Sequence, residues 1–308
     1  MSGMMLAIQG ALGQGILWGI MGLGIYLTFR ILDIADLSVD GTFALGGCTC
    51  AALMVRAGIN PYLAVLLSTA AGMAAGFVTG ILYTKCEIPA ILAGILTQLG
   101  LYSINLRIMD KSNTPFLKVD TIFKQLVDAT GLPQNWVSLL AGCAVAFVLV
   151  GVLYWFFGTE LGSAIRATGT NENMARSQGM NTNTYKILGL ALSNGMVALS
   201  GALVSQHQGY ADVKQGMGAI VIGLASIIIG EVILGHKTNF AIKLIAVLAG
   251  SCIYRIIVAV VLQMGLSTDD LKLLTAILVA LALSIPVLLE KRRRAAGYSE
   301  AGEEERHA

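Results

Sequence analysis

Long apolar runs alternate with short polar stretches through nearly the whole chain. A helix needs about 20 apolar residues to cross the hydrocarbon core of a bilayer. On that measure the pattern predicts spans at Leu12–Phe29, Pro61–Tyr83, Pro89–Met109, Trp136–Phe157, Ile187–Gln206, Met217–Leu234, Ile242–Met264 and Leu271–Leu289. Small residues recur on single helix faces. Gly15 and Gly19 are one turn apart, and Gly72, Gly76 and Gly80 form a GxxxGxxxG stripe. Lipid offers no hydrophobic drive for helix association, so such stripes predict close backbone packing.

One segment breaks the pattern. Ile31–Val55 is apolar overall but holds Asp33, Asp36 and Asp40 near its start. Each acid costs several kcal/mol in lipid, which predicts a broken or re-entrant segment facing protein or water, followed by a half-helix from near Gly41. A short cytoplasmic loop between two ordinary spans also fits. The expected fold is therefore all-α: a polytopic helical membrane protein with about eight or nine transmembrane helices and a broken segment near residues 31–57. Residues 1–290 form one membrane domain, and 291–308 form a charged tail expected to be disordered. Between Met109 and Trp136 a polar loop, Asp110–Asn135, holds a short amphipathic helix in VDTIFKQLV.

The longest polar stretch between two apolar runs is Thr159–Lys186. Within it NENMARSQG reads as a short helix. Asn171 fits the N-cap, Glu172 the first turn, and Gly179 the positive-φ position past the end. A helix of about seven residues is not stable alone in water and needs a surface to pack on. A second protein supplying that surface and a solvated connecting loop are both consistent with the stretch.

Composition agrees with a membrane protein of little soluble mass. Charged residues are 12% against 56% hydrophobic, with a mean hydropathy of +0.76. A net charge of +2 points to no particular partner and gives no reason to expect nucleic acid. The basic residues set topology instead. Lys291–Arg294 after the last span is expected in the cytoplasm, and counting spans back puts His236–Lys243 and Thr159–Lys186 there too. The N-terminus lies outside if Ile31–Val55 crosses fully and inside if it does not. Trp136 at one end of its span and Tyr154 and Trp155 at the other mark both interfaces.

Candidate chemistry is sparse. GEVILGHKT resembles a phosphate-binding loop, but His236 separates the second glycine from Lys237 and no βα unit surrounds it. This chain is not expected to be an enzyme or to hydrolyse ATP. Its three histidines are scattered, and no metal site is expected. Arg255 stands inside an apolar run, where a cation faces a cavity or an acid, and Glu231 on the preceding span is the candidate partner. A buried pair fixing helix register reads the two residues equally well.

Two motifs then carry a resemblance. TELGSAIRATGTNENMARSQGMN is similar to the cytoplasmic loop of bacterial ABC importer permeases of the branched-chain amino acid/ribose family, with Leu161, Gly162, Arg166, Ala167, Gly169, Asn171, Ala175, Gly179 and Asn181 in the family's spacing. DLSVDGTFALGG and EIPAILAGILTQLG resemble two further segments of the sugar members. Asp40 departs from them, standing where they place glycine; DLSVDG is similar instead to a branch linked to tryptophan and tyrosine import. The resemblance covers nearly the whole chain. It implies a bacterial cytoplasmic-membrane protein of many spans with a cytoplasmic C-terminus. Two permease copies, most simply a homodimer, would form the pore. Two ATPase chains carrying ATP-Mg would dock below, and an outer substrate-binding protein would deliver a small solute, an aromatic or branched-chain amino acid or else a sugar or nucleoside. Asn171, Glu172, Asn173, Met174, Ala175, Arg176, Ser177 and Gln178 would be the coupling helix. Asp36, Ser38 and Asp40, with Glu231 and Arg255, would line or shape the translocation path. An ion-coupled secondary transporter using the acids and Arg255 is the competing class, and an inverted repeat would favour it.

Overall fold

The computed structural model describes residues 2–117, 119–234, 239–264, 273–277, 279–281 and 284. Among them run α1 (Ser2–Tyr26), α2 (Val39–Val55), α3 (Pro61–Thr84), α4 (Ala90–Met109), α5 (Ile122–Thr130), α6 (Gln134–Phe156), α7 (Glu160–Thr170), α8 (Glu172–Ser177), α9 (Thr182–Gln208), α10 (Ala219–Leu234) and α11 (Phe240–Gln263), with two short strands, β1 (Asn113–Pro115) and β2 (Tyr210–Asp212). Six of the helices are long and apolar enough to cross a membrane, and α2 and α10 are shorter apolar helices. Most of the last predicted span, the turn at His236 and the charged tail lie outside the described residues.

The glycine faces are where the bundle closes. Gly72, Gly76 and Gly80 of α3 meet α9 at Asn194 and Ala198, at Leu190, and at Ile187; a Cβ on Gly80 would lie 2.9 Å from the Ile187 Cα. Gly15 and Gly19 of α1 meet α11, with Cys252 Cα 2.7 Å from a Cβ on Gly15. Backbones this close leave room only for hydrogen. α1 and α9 are buried along most of their length, whereas α4, α6 and α11 expose broad apolar faces.

Several boundaries differ from the sequence reading. The first helix begins at Ser2 rather than Leu12 and continues into a π-helical turn, Leu27–Ile31; no charged residue or proline stands between positions 2 and 29 to stop it. Glu160–Thr170, read as part of the polar loop, is helix α7, capped by Thr159, whose Oγ1 accepts from the Gly162 amide at 3.4 Å. The amphipathic helix forms at α5, with Thr121 as its N-cap. β1 and β2 pair antiparallel, Thr114 opposite Ala211. Two three-residue strands far apart in sequence have no local pattern to announce them.

The two ends of the bundle are distinct. Gly10 of α1 lies beside Asn135 at the start of α6, and Gln263 at the end of α11 donates to the Gly3 carbonyl at 3.3 Å. These mark the α5 end. At the other end Gly169 of α7 abuts Ile31, and Arg166 of α7 lies 4.0 Å over the Phe240 ring at the start of α11. The chain's N-terminus and the Thr159–Lys186 stretch are thus at opposite ends.

Candidate functional site

The break after α1 is an irregular stretch, residues 32–38, leading into α2. Asp33 takes a left-handed φ of 55°, and Leu37 packs against α4, its amide nitrogen 2.7 Å from where a Gly94 Cβ would stand. Asp36 is 3% exposed and sits about 18 Å along α9 from that helix's start, at 1.5 Å per residue. Its carboxylate is fully engaged. Oδ1 accepts from the Ser38 amide at 2.8 Å and the Ser38 hydroxyl at 2.6 Å, and Oδ2 accepts from Asn194 Nδ2 at 2.7 Å. A carboxylate at this depth persists only with such donors. The cluster pins the break to the middle of α9.

Asp40, in the first turn of α2, turns to a different partner. Its oxygens accept from the backbone amides of Gly218 and Ile220 at 2.8 and 2.9 Å. These amides open α10, whose first turn would otherwise leave its N–H groups unsatisfied inside the bundle. Gly218 itself takes a φ of +85°. Two short helices, α2 and α10, therefore meet at their N-termini through one carboxylate.

Glu231 does not pair with Arg255. It binds Arg30 of the π-helical turn through one guanidinium edge, Nε donating to Oε1 at 2.8 Å and Nη2 to Oε2. The reason is the direction of α10: Glu231 sits near its C-terminal end, beside the π-helical turn, whereas Arg255 lies well along α11 toward the α5 end. Arg255 instead stacks 4.1 Å over the ring of Trp18. The five path residues taken from the sequence thus occupy separate places: Asp36 with Ser38, Asp40 with α10, Glu231 with Arg30, and Arg255 with Trp18. Asn194 and Trp18 were missed. A lone amide in the apolar run of α9 was the one available signal for Asn194.

The polar stretch behaves as its local chemistry dictates. Asn171 Oδ1 accepts from the Met174 amide at 3.0 Å, and Gly179 takes a φ of +80°. Glu172 receives Arg176 and Lys186 at 2.7 Å each, and Thr182 at 3.2 Å. The hydrogen bond from Lys186, with the two positive charges, holds the Glu172 carboxyl below the usual carboxylate range. Only Ala175 of α8 is buried; Asn173, Met174, Arg176, Ser177 and Gln178 are exposed. So α8 rests on the start of α9 and offers its outer face to solvent. Through α7 it also reaches the break: a Cβ on Gly169 would strike the Ile31 carbonyl and lie 2.8 Å from the Leu32 Cα.

Spanning helices around two half-helices, with a short capped helix on one end, define a polytopic permease-type membrane protein. Residues 7–285 match the branched-chain amino acid transport system / permease component family, and the chain belongs to it as an ABC-type permease component. It is similar to the tyrosine transport system permease protein of Clostridioides difficile, 40% identical over 275 residues, covering 89% of this chain and 90% of that protein. It is also similar to the ribose import permease protein RbsC of Escherichia coli, 30% identical over 189 residues, 60% of this chain and 56% of that one. The autoinducer 2 import system permease protein LsrC of Photorhabdus luminescens matches at 29% over 197 residues, 62% of this chain and 54% of that one.

Proposed function

We propose that this chain is the pore-forming subunit of an importer for an aromatic amino acid, driven by a separate ATPase that docks on α8. One observation carries the reading: α8 is fixed on its inner side to α9 and, through α7, to the broken segment, while its outer face is free, with Met174 52% exposed. An isolated six-residue helix has no intrinsic stability, and an exposed apolar side chain at its centre suits a partner groove. A displacement of α8 travels along α7 to Ile31 and Leu32, and so to the turn that leads into Asp36 and α2. ATP-Mg on the partner would supply the energy. Two copies of this chain would form the pore, with one ATPase under each α8 and a binding protein at the α5 end. That arrangement puts the C-terminus in the cytoplasm and the N-terminus outside. Similarity to a tyrosine permease favours an aromatic amino acid over a sugar.

The test is co-purification with the cognate ATPase, comparing the wild type with a Met174→Asp variant and a Glu172→Ala/Arg176→Ala double variant. Stimulated ATP hydrolysis in the wild-type complex, lost in both variants while they stay monodisperse, supports the reading. A wild-type chain that neither binds nor stimulates the ATPase overturns it.

A further inference from the structure

Trp18 and Arg255 make a site that, among the described residues, the bundle leaves incomplete. Trp18 is 7% exposed, and its indole Nε1 is buried without a hydrogen-bond partner. Arg255 Nε is buried and equally without one. Among the described residues no carboxylate pairs with Arg255, while Glu231, the acid on the preceding helix, is taken by Arg30. The guanidinium stacks on the indole at 4.1 Å, and the indole in turn meets Phe43 of α2 at 4.7 Å between ring centroids. Indole and guanidinium are donors only. A protein interior does not leave two adjacent donors unsatisfied without reason, and a cation inside a membrane bundle marks a functional site. What the pair lacks is an acceptor, and one with negative charge fits best. Along α11 the Cα of Arg255 is about 12 Å from Gln263 and about 22 Å from Phe240, at 1.5 Å per residue. That depth suits a solute passing through better than a headgroup phosphate at the surface.

Resting on the importer reading above, we infer that Arg255 and Trp18 bind the carboxylate of the translocated amino acid, with the Trp18–Phe43 pair as an aromatic wall beside it. The guanidinium offers a planar fork to the two oxygens. Trp18 Nε1 adds a third donor, and the stacked indole holds the guanidinium in place. Phe43 ties the site to α2, whose position is set by the Asp36 and Asp40 contacts, so the site can change with the break.

The chain has three tryptophans. Trp136→Phe/Trp155→Phe leaves Trp18 as the sole reporter in phosphatidylcholine nanodiscs, without the ATPase. The probes are L-tyrosine and L-leucine, each against the amine lacking the carboxylate, tyramine and isoamylamine, with excitation where tyrosine does not absorb. The expected result is a saturable change in Trp18 emission with at least one amino acid, at least tenfold weaker with its amine. Arg255→Met should abolish it and Arg255→Lys weaken it. An amine that saturates as tightly as its amino acid, no response to either amino acid, or an unchanged response in Arg255→Met overturns the proposal. So does a change produced by phosphatidylglycerol alone, to which amino acids add nothing, because the acceptor is then a lipid phosphate. The amine comparison needs no substitution at Arg255. A failed ATPase assay beside intact L-tyrosine binding would sink the importer reading and leave this site standing.

Discussion

Asp36 and Glu172 are both carboxylates with three partners each, yet they do opposite work. Asp36 is 3% exposed and answered by neutral donors: an amide N–H, a hydroxyl and a side-chain amide. Glu172 has a side chain 34% exposed and is answered by two cations and a hydroxyl. Neutral dipoles at fixed distances, shielded from water, make a rigid joint, because any movement leaves a buried charge unsatisfied. The Glu172 joint is more adjustable: Arg176 lies at the wet surface, where water and salt replace its contact at little cost, and only the buried Lys186 ties α8 firmly to α9. The stiff joint holds the break in the membrane, and the soft joint holds α8 where a partner would push it.

The sharpest way to break this comparison is to cut the buried cluster. Asp36→Ala removes the acceptor shared by the Ser38 amide, the Ser38 hydroxyl and Asn194 Nδ2; the amide is left unpaired, while the hydroxyl and Nδ2 keep only longer bonds to Asn194 Oδ1 at 3.2 Å and the Leu190 carbonyl at 3.1 Å, and stability is expected to fall by about 2–3 kcal/mol. A thermal melt in detergent reads it. Asn194→Ala should cost somewhat less, and the double variant about the same as Asp36→Ala alone, since the groups act as one unit; additive losses would show that they do not. Next in size is Gly169→Leu. Its side chain has to displace the Ile31 carbonyl, at about 1–3 kcal/mol. Stimulated ATP hydrolysis should fall while ATPase binding at α8 persists. Unaltered stimulation would mean that α7 does not connect the two regions.

Smaller effects belong to the surface. The Glu172 carboxyl is held low in the folded chain, so its contribution is complete above the ordinary carboxylate value of about 4.3 and declines as pH falls below it toward the folded value. Hydrogen exchange at the α8 amides should be protected evenly from neutral pH down to about 5 and lose protection only in stronger acid. Glu172→Gln should flatten that profile. Smallest of all is Arg30→Met. The Arg30 side chain is 43% exposed and that of Glu231 17%, and breaking such a half-exposed pair is expected to lower stability by about 1 kcal/mol. A loss comparable to that of Asp36→Ala would put Arg30 in the stiff region instead.

Local chemistry made much of this legible. Spans declare themselves because lipid demands long apolar runs, and α3 and α6 fall within two residues of the expected bounds. Asn171 and Gly179 announce the ends of α8 because capping is a matter of side chain and backbone a few residues apart. The glycine stripe of α3 declared a close contact, though not that α9 fills it. Three acids in an apolar run pointed to an interruption near residues 31–41, as a broken segment or a short loop; the irregular stretch falls at residues 32–38. What they bond could not be read off, since Asn194 is 158 residues from Asp36 and one amide in a long apolar helix gives no address.

The sequence by itself determined where chain can cross a membrane, where it cannot, and which residue opens the short helix in the polar loop. Each follows from neighbours a few positions apart. Only the tertiary structure decided that Glu231 belongs to Arg30, that Asp40 caps α10, and that Arg255 lies over Trp18 with no acid beside it among the described residues. Those pairings depend on the depth at which each helix starts and the direction in which it runs. That depth is set by backbone contacts at glycines from all over the chain, which no stretch of sequence contains alone.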